Sequence, residues 1–256
     1  MELTSPLFDD THLPPDLNVY SGFKERDWSK QPAGLFAPFQ LPEIPEVEWP
    51  ERIREREAKG LTLRKLMERF KIPSLNQGRT NYCWINGPIG AMECARAVAN
   101  LPYVKLSPAS VGAPIKGFRN NGGWGTEGLR YLVEHGACPA EYWPPNAIER
   151  SYYTEENKQR ALNFRVDEWL ELQRRNYAQV ITALFNYIPV AVGYNWWGHE
   201  VYLLDPKLNG SEVCCEGRNS WGEGYGEQGY FTLSRKKAIP DDACCPVTSM
   251  PTERVA

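Results

Sequence analysis

Asn76-Gln77-Gly78-Arg79-Thr80-Asn81-Tyr82-Cys83-Trp84 is the stretch on which the reading of this chain turns. A loop carrying Gly78 runs into a segment from Cys83 to about Ala99 that reads as a helix, rich in small residues through Gly90, Ala91, Ala95 and Ala97. A thiol at a helix N-terminus feels the positive end of the dipole. That favours the thiolate, the form that attacks carbonyl carbon. A lone cysteine is more often a buried small hydrophobe, so Cys83 needs a base to be read otherwise.

The chain has three histidines. His12 lies in a proline-rich segment, and His135 ends a helical pattern just before Gly136, where a cation suits the helix dipole. His199 follows Trp196-Trp197-Gly198 and opens a strand pattern. An imidazole within reach of Cys83 would complete its activation. A third piece is Asn219-Ser220-Trp221-Gly222-Glu223-Gly224-Tyr225-Gly226-Glu227-Gln228-Gly229-Tyr230. An Asn at a strand end can accept from the second imidazole nitrogen and hold the ring. Read as a glycine-rich hairpin alone, the run leaves Trp221 unexplained.

Taken in order, Gln77-Gly78, Cys83-Trp84, Asn121-Gly122-Gly123, Gly198-His199 and the run from Asn219 resemble the papain family of cysteine peptidases. The resemblance spans about Ile72 to Arg235, with Cys-to-His and Cys-to-Asn separations of 116 and 136 residues (199 − 83 and 219 − 83). It implies an α+β, papain-like two-lobed fold: a helical lobe, an antiparallel β lobe and the active-site cleft between them. It implies that Cys83 attacks an amide carbonyl, that His199 holds the thiolate and later protonates the leaving amine, and that Asn219 orients His199. Trp221 would shield that contact. Gln77 and the Cys83 backbone amide would receive the oxyanion. Gly122, Gly123 and Trp124 would line the peptide's path, and Glu200, next to His199, would favour a Lys or Arg side chain of the substrate. The alternative for Glu200 is a solvated carboxylate paired with a surface Arg.

This chain departs from the family pattern in two places. Thr80-Asn81-Tyr82 stands where relatives carry Cys-Gly-Ser, and Asn120 stands where they carry that cysteine's disulfide partner. Loss of both fits an intracellular maker. Asn81 and Tyr82 are expected to narrow the cleft, and Pro88 to remove a hydrogen bond in the helix after Cys83.

The 256 residues carry a formal net charge of −3, with 42% apolar and 12% aromatic residues, enough for a sizeable core. No Lys/Arg block suggests nucleic acid or a membrane surface, and no stretch approaches the ~20 apolar residues of a span. The start lacks the pattern of a secretory signal, so the chain reads as a cytoplasmic product. Seven cysteines leave at least one unpaired. The doublets Cys214-Cys215 and Cys244-Cys245 read as packing thiols or a disulfide between the pairs, because adjacent strand residues face opposite sides and suit one metal ion poorly. The chemistry calls for no cofactor.

Helical patterns cover Glu51–Phe70 (interrupted at Gly60), Cys83–Ala99, Thr126–His135 and roughly Val166–Asn186. Strand patterns cover Val190–Tyr194, Val201–Leu204, Glu212–Arg218 and Tyr230–Leu233. The division expected is an extended arm over 1–50 and the two-lobed domain over 51–256, with about 72–150 mainly helical and about 151–256 mainly β. The arm holds eight prolines and irregular aromatics: Tyr20, Phe23, Trp28, Phe36, Phe39 and Trp49. Such a chain suits binding along a groove. Without the helical pattern usual in papain pro-segments, the arm points to a partner protein's surface, outside the catalytic fold, ahead of the chain's own cleft. A strap that only stabilises its own domain is the plainest alternative. Besides a peptidase or amidase with a peptide or protein substrate, a docking component of a larger assembly, such as a viral particle, would also fit the arm.

Overall fold

The computed structural model describes residues 5–8, 22–30 and 40–248. Strand β1 (Leu7–Phe8) comes first, and a 3₁₀ turn at Glu46–Glu48 leads into α1 (Trp49–Ala58). Pro50 sits in that helix's first turn, where its missing N–H removes no hydrogen bond. Gly60, at φ +65°, ends the run, so the pattern over 51–70 becomes α1 and α2 (Leu63–Arg69), the second capped by the Thr62 hydroxyl. Helix α3 (Cys83–Val98) carries Pro88 inside it, as expected.

Helix α4 (Pro108–Ile115) has no counterpart in the sequence patterns, since two prolines and small residues hide its period. Helix α5 (Gly125–Glu134) stops before Gly136, whose φ of +71° is open to glycine. Helix α6 (Glu155–Ala161) follows. The stretch 166–186, expected to be helical, instead divides into strand β2 (Glu168–Glu171) and helix α7 (Tyr177–Phe185). Trp169 and Glu171 turn inward there, and pairing with a distant strand outweighs local pattern.

Strands β3 (Val190–Tyr194), β4 (His199–Asn209), β5 (Glu212–Arg218) and β6 (Tyr230–Leu233) are followed by α8 (Arg235–Ala238) and β7 (Asp242–Val247). They form one sheet in the order β1-β6-β5-β4-β3-β7-β2, antiparallel except for the parallel β1–β6 edge. Strand alternation divides the core. Tyr202 and Leu204 of β4 join α3 and the other helices around it, while Val201 and Leu203 join α1 and α7 on the opposite face. The small residues of α3 let it lie close on β4: a Cβ at Gly90 would fall 2.2 Å from the Tyr202 ring.

The described parts of the arm pack on this fold. Residues 5–8 add β1 to the sheet, Ile44 donates its N–H to Thr182 Oγ1, and the Trp49 indole donates to the Ile44 carbonyl. Tyr20, Phe36, Phe39 and His12 lie outside the described residues. All seven cysteines are buried free thiols. Those of β5 and β7 are three strand spacings apart, roughly 14 Å, beyond disulfide reach.

Candidate active site

Cys83 is the first residue of α3, where the earliest amides of a helix lack internal acceptors. The loop before it is tied down by Gln77, which is fully buried. Its backbone N–H donates to the Ser220 carbonyl (2.8 Å), its Oε1 accepts from the Ser220 hydroxyl (2.6 Å) and its Nε2 donates to the Thr80 carbonyl (2.9 Å). The loop before the thiol is thus locked to the loop that carries Asn219.

His199 and Asn219 meet at 2.8 Å, through imidazole Nε2 and Asn219 Oδ1. The Ser220 backbone N–H also donates to that Oδ1 (2.7 Å), which fixes it as an acceptor. Nε2 therefore carries the proton, and Nδ1 is left with its lone pair and no hydrogen-bond partner among the described residues. Trp221 stacks on the ring at 4.4 Å between centroids, and Trp197 lies 5.0 Å away. Trp221, unexplained by a hairpin alone, is a wall of this pocket.

The chain's own arm crosses the site. The Gly22 N–H donates to Cys83 Sγ (3.0 Å), its carbonyl accepts from Gly123 N (2.9 Å), and Lys24 N donates to the Gly123 carbonyl (3.2 Å). Phe23 and Gly123 thereby form a parallel β-bridge. Gly122 and Gly123 lie against the arm's residues 22–24, and a Cβ on Gly122 would lie 2.1 Å from the Gly22 carbonyl oxygen. Among the described residues, 22–24 of the arm lie along the chain's own cleft.

Burial sets the electrostatics. It pushes the Cys83 thiol up to about 12, with Glu200's negative charge adding to the effect and the Gly22 amide opposing it. Burial also lowers the His199 imidazole to about 4, against the raising effect of Asn219. Burial thus favours the neutral form of both the Cys83 thiol and the His199 imidazole.

The remaining predicted residues divide. Trp124 caps α5, its N–H donating to Glu127 Oε2 (3.3 Å). Glu200 is buried, not solvated, and Oε2 has no partner among the described residues. Tyr82 does not narrow the cleft: its ring is buried over Gly112, and its hydroxyl donates to the Arg119 carbonyl (2.8 Å). Gly112 leaves the room that turns the ring inward. Asn120 clamps the 79–81 loop, with Oδ1 accepting from Asn81 N (2.6 Å), its carbonyl accepting from Asn81 Nδ2 (3.2 Å) and Nδ2 donating to the Arg79 carbonyl (3.2 Å).

Sequence reasoning named Phe23 only as an arm aromatic suited to a groove, and missed Arg26, Glu171, Gly193 and Asp242. The Phe23 ring lies where a Gly193 side chain would stand, and the buried Arg26 guanidinium bonds Glu171 and Asp242. A glycine inside the apolar strand Val190-Ala191-Val192-Gly193 was the available signal of a close approach.

No protein-family model matches the chain. It is 24% identical over 207 residues to pro-cathepsin H of Mus musculus, covering 70% of this chain and 61% of that protein. It is 22% identical over 257 residues to ananain of Ananas comosus, covering 86% and 68%. The ragweed pollen allergen Amb a 11, a cysteine protease solved in its proform, superposes with a TM-score of 0.65 at 16% identity, over 92% of this chain and 78% of that one. The chain has the papain-like fold, mixed α+β with a seven-stranded sheet, and its relatives and structural neighbours are papain-like cysteine peptidases, hydrolases by class. Among the described residues, no helix is long and apolar enough to cross a membrane.

Proposed function

We propose that this chain is a cysteine peptidase acting on peptide or protein substrates, with an N-terminal arm that closes its own active site. The observation that carries the reading is an extended peptide, residues 22–24, bridged to Gly123 with its amide on the Cys83 sulfur. A cleft that holds one extended backbone over a thiol can hold another.

In the uncovered site, Cys83 gives its proton to His199 Nδ1, the lone-pair nitrogen that the Asn219 contact leaves free. The thiolate attacks the scissile carbonyl carbon, and the negative charge moves to its oxygen. Cys83 N–H, at the helix N-terminus, and the Gln77 amide receive that charge. Collapse breaks the C–N bond, and His199 Nδ1–H protonates the departing amine. Water then attacks the thioester with His199 as base, releasing the acid and restoring the thiol. Trp221 keeps bulk water from the His199–Asn219 contact, while Gly122, Gly123 and Trp124 border the substrate's backbone.

The test is labelling of the full chain with an epoxide or iodoacetamide probe near neutral pH, with adducts mapped by mass spectrometry. After the arm is weakened by Arg26→Ala, Cys83 is expected to react ahead of the other six cysteines, and His199→Ala to remove that preference. Reaction no faster than free cysteine in the Arg26→Ala chain would sink the reading.

A further inference from the structure

A separate cavity of about 200 Å³ opens at the far end of α5, between that helix, the loop around Trp143 and helix α6. Helix α5 begins at Gly125, next to the cleft residues. Tyr131 and His135 stand six and ten residues further on, roughly 9 and 15 Å along the axis at 1.5 Å per residue. None of the described residues that line the cavity belongs to the Cys83 site. Its floor is buried and aromatic: Cys138 and Trp143 line it at 1% and 2% exposure. The Trp143 indole N–H donates to the Ala147 carbonyl (2.7 Å), so the ring offers the cavity an apolar face.

Further rings complete the walls. Tyr153 meets Trp143 edge-on, 6.3 Å between centroids, and is backed by Phe118 at 5.6 Å. Tyr131 packs on the His135 ring at 4.4 Å. Burial raises the Tyr131 hydroxyl, with the neighbouring Tyr153 adding to the effect. The charged groups at the mouth already hold each other, since Glu155 accepts from Lys158 Nζ (2.9 Å) and from Gln159 Nε2 (3.1 Å). Seven large hydrophobic residues are exposed among the described residues, and three of them gather here: Tyr142 (44%), Tyr153 (37%) and Leu162 (39%). Tyr153 and Leu162 line the cavity, and Tyr142 lies beside α6, 4.1 Å from the Arg160 guanidinium. Scattered singly, such residues mean little. Collected around a concave opening with aromatic walls, they mark a ligand site.

We infer that this cavity is a second binding site, for a small uncharged aromatic molecule held among the rings of Tyr131, Trp143 and Tyr153. The size fits: an apolar cavity of about 150 Å³ holds benzene, so this one takes a single ring with one or two small substituents. An aromatic ligand gains offset or edge-to-face contacts with these walls beyond the area it buries, and a saturated ring of the same size does not. A carboxylate or an ammonium would give up its water without gaining a partner, because Glu155 and Lys158 are already paired. The space takes one substituted ring and no backbone with it, so the ligand is a free molecule and not a partner's side chain.

The experiment is an NMR titration of the isotope-labelled full chain with p-cresol, with 4-methylcyclohexanol, benzoate and benzylammonium as matched probes. Saturable shifts are expected at the backbone amides of Tyr131, Gly136 and Leu162 and not at those of Cys83 and His199, with Kd below about 1 mM. Binding of 4-methylcyclohexanol and of both charged probes is expected to be weaker by about threefold or more. Tyr153 is partly exposed, so Tyr153→Ala should fold, which its own spectrum shows, and weaken p-cresol by about threefold or more. Tyr153→Phe, which keeps the ring, should bind as the wild type does. No saturable shift, shifts confined to the cleft, equal affinity for 4-methylcyclohexanol, or an unchanged affinity in Tyr153→Ala overturns the site. A capped tyrosine amide that binds more tightly than p-cresol overturns the free-molecule assignment and puts a partner's side chain there instead.

Discussion

The Gly22 amide donates to the Cys83 sulfur at 3.0 Å, so the group that would attack a substrate is already the acceptor of a hydrogen bond from its own chain. Phe23, one residue on, fills the space over Gly193, and Arg26, three further, is buried against two carboxylates. Covering the thiol is thus distributed over a backbone contact, an apolar plug and an ion pair.

Removing the ion pair should open the site. Truncating one partner of a buried pair costs about 3–5 kcal/mol, and here that falls on the covered state. Arg26→Ala is expected to raise the rate of Cys83 alkylation by about 10² or more over wild type, measured by intact mass against time. An unchanged rate means that Arg26 does not hold the arm.

The His199 imidazole, lowered to about 4 by burial, contributes stability that depends on its staying neutral. Above its ordinary value of 6.5 that contribution is whole. As pH falls through 6.5 toward 4, the unfolded chain takes up a proton that the native site refuses, and stability is lost by up to about tenfold in the folding equilibrium per pH unit. Glu93 and Asp242, raised by burial to about 8 and about 7, titrate in the opposite sense. The comparison that isolates the histidine is therefore wild type against His199→Gln. The stability difference between the two, from urea melts at pH 7 and pH 5, is expected to shift against wild type at the lower pH.

Asn219→Ala should leave the fold in place and slow the chemistry. Without Oδ1, the imidazole loses the partner that holds its proton on Nε2. In the Arg26→Ala background kcat is expected to fall by about 10² or more, with KM nearly constant. A proportional rise in KM with kcat preserved would place Asn219 in substrate binding.

Gly90→Ala tests the packing that brings α3, and Cys83 with it, onto the sheet. The added methyl would sit 2.2 Å from the Tyr202 ring, and overpacking of this kind costs about 1–3 kcal/mol despite alanine's better helix propensity. A lowered melting temperature is expected. A raised one would mean that the ring yields freely.

Much of this architecture was legible because local pattern and global fold agree. Strands β3, β5 and β6 begin and end where alternation does, and Gly60 and Gly136 interrupt their helices with positive φ. Gln77, Cys83, His199, Asn219 and Trp221 stood out because their order resembles a known family's pattern, and the fold brings Gln77 and His199 to one loop, Asn219–Trp221. What escaped was set by distance in sequence. Strand β2 exists because β7 lies beside it, and Tyr82 turns inward because Gly112, thirty residues away, leaves it room. Arg26 could not be placed because its two carboxylates are 145 and 216 residues away.

The chain that carries Gly22, Phe23 and Arg26 is continuous with residues 40–48, which pack on α7, so the cleft's occupant is tethered to the cleft. Because the tether is covalent, its occupancy of the cleft does not depend on the dilution of the protein. One backbone cut anywhere between residues 30 and 40 changes the order of the reaction. The segment that lies on Cys83 would then be a separate molecule, held among its described residues by the β1 pairing and the cleft contacts, and its grip would fall with dilution. A single such cut would make the state of the site depend on how much protein surrounds it.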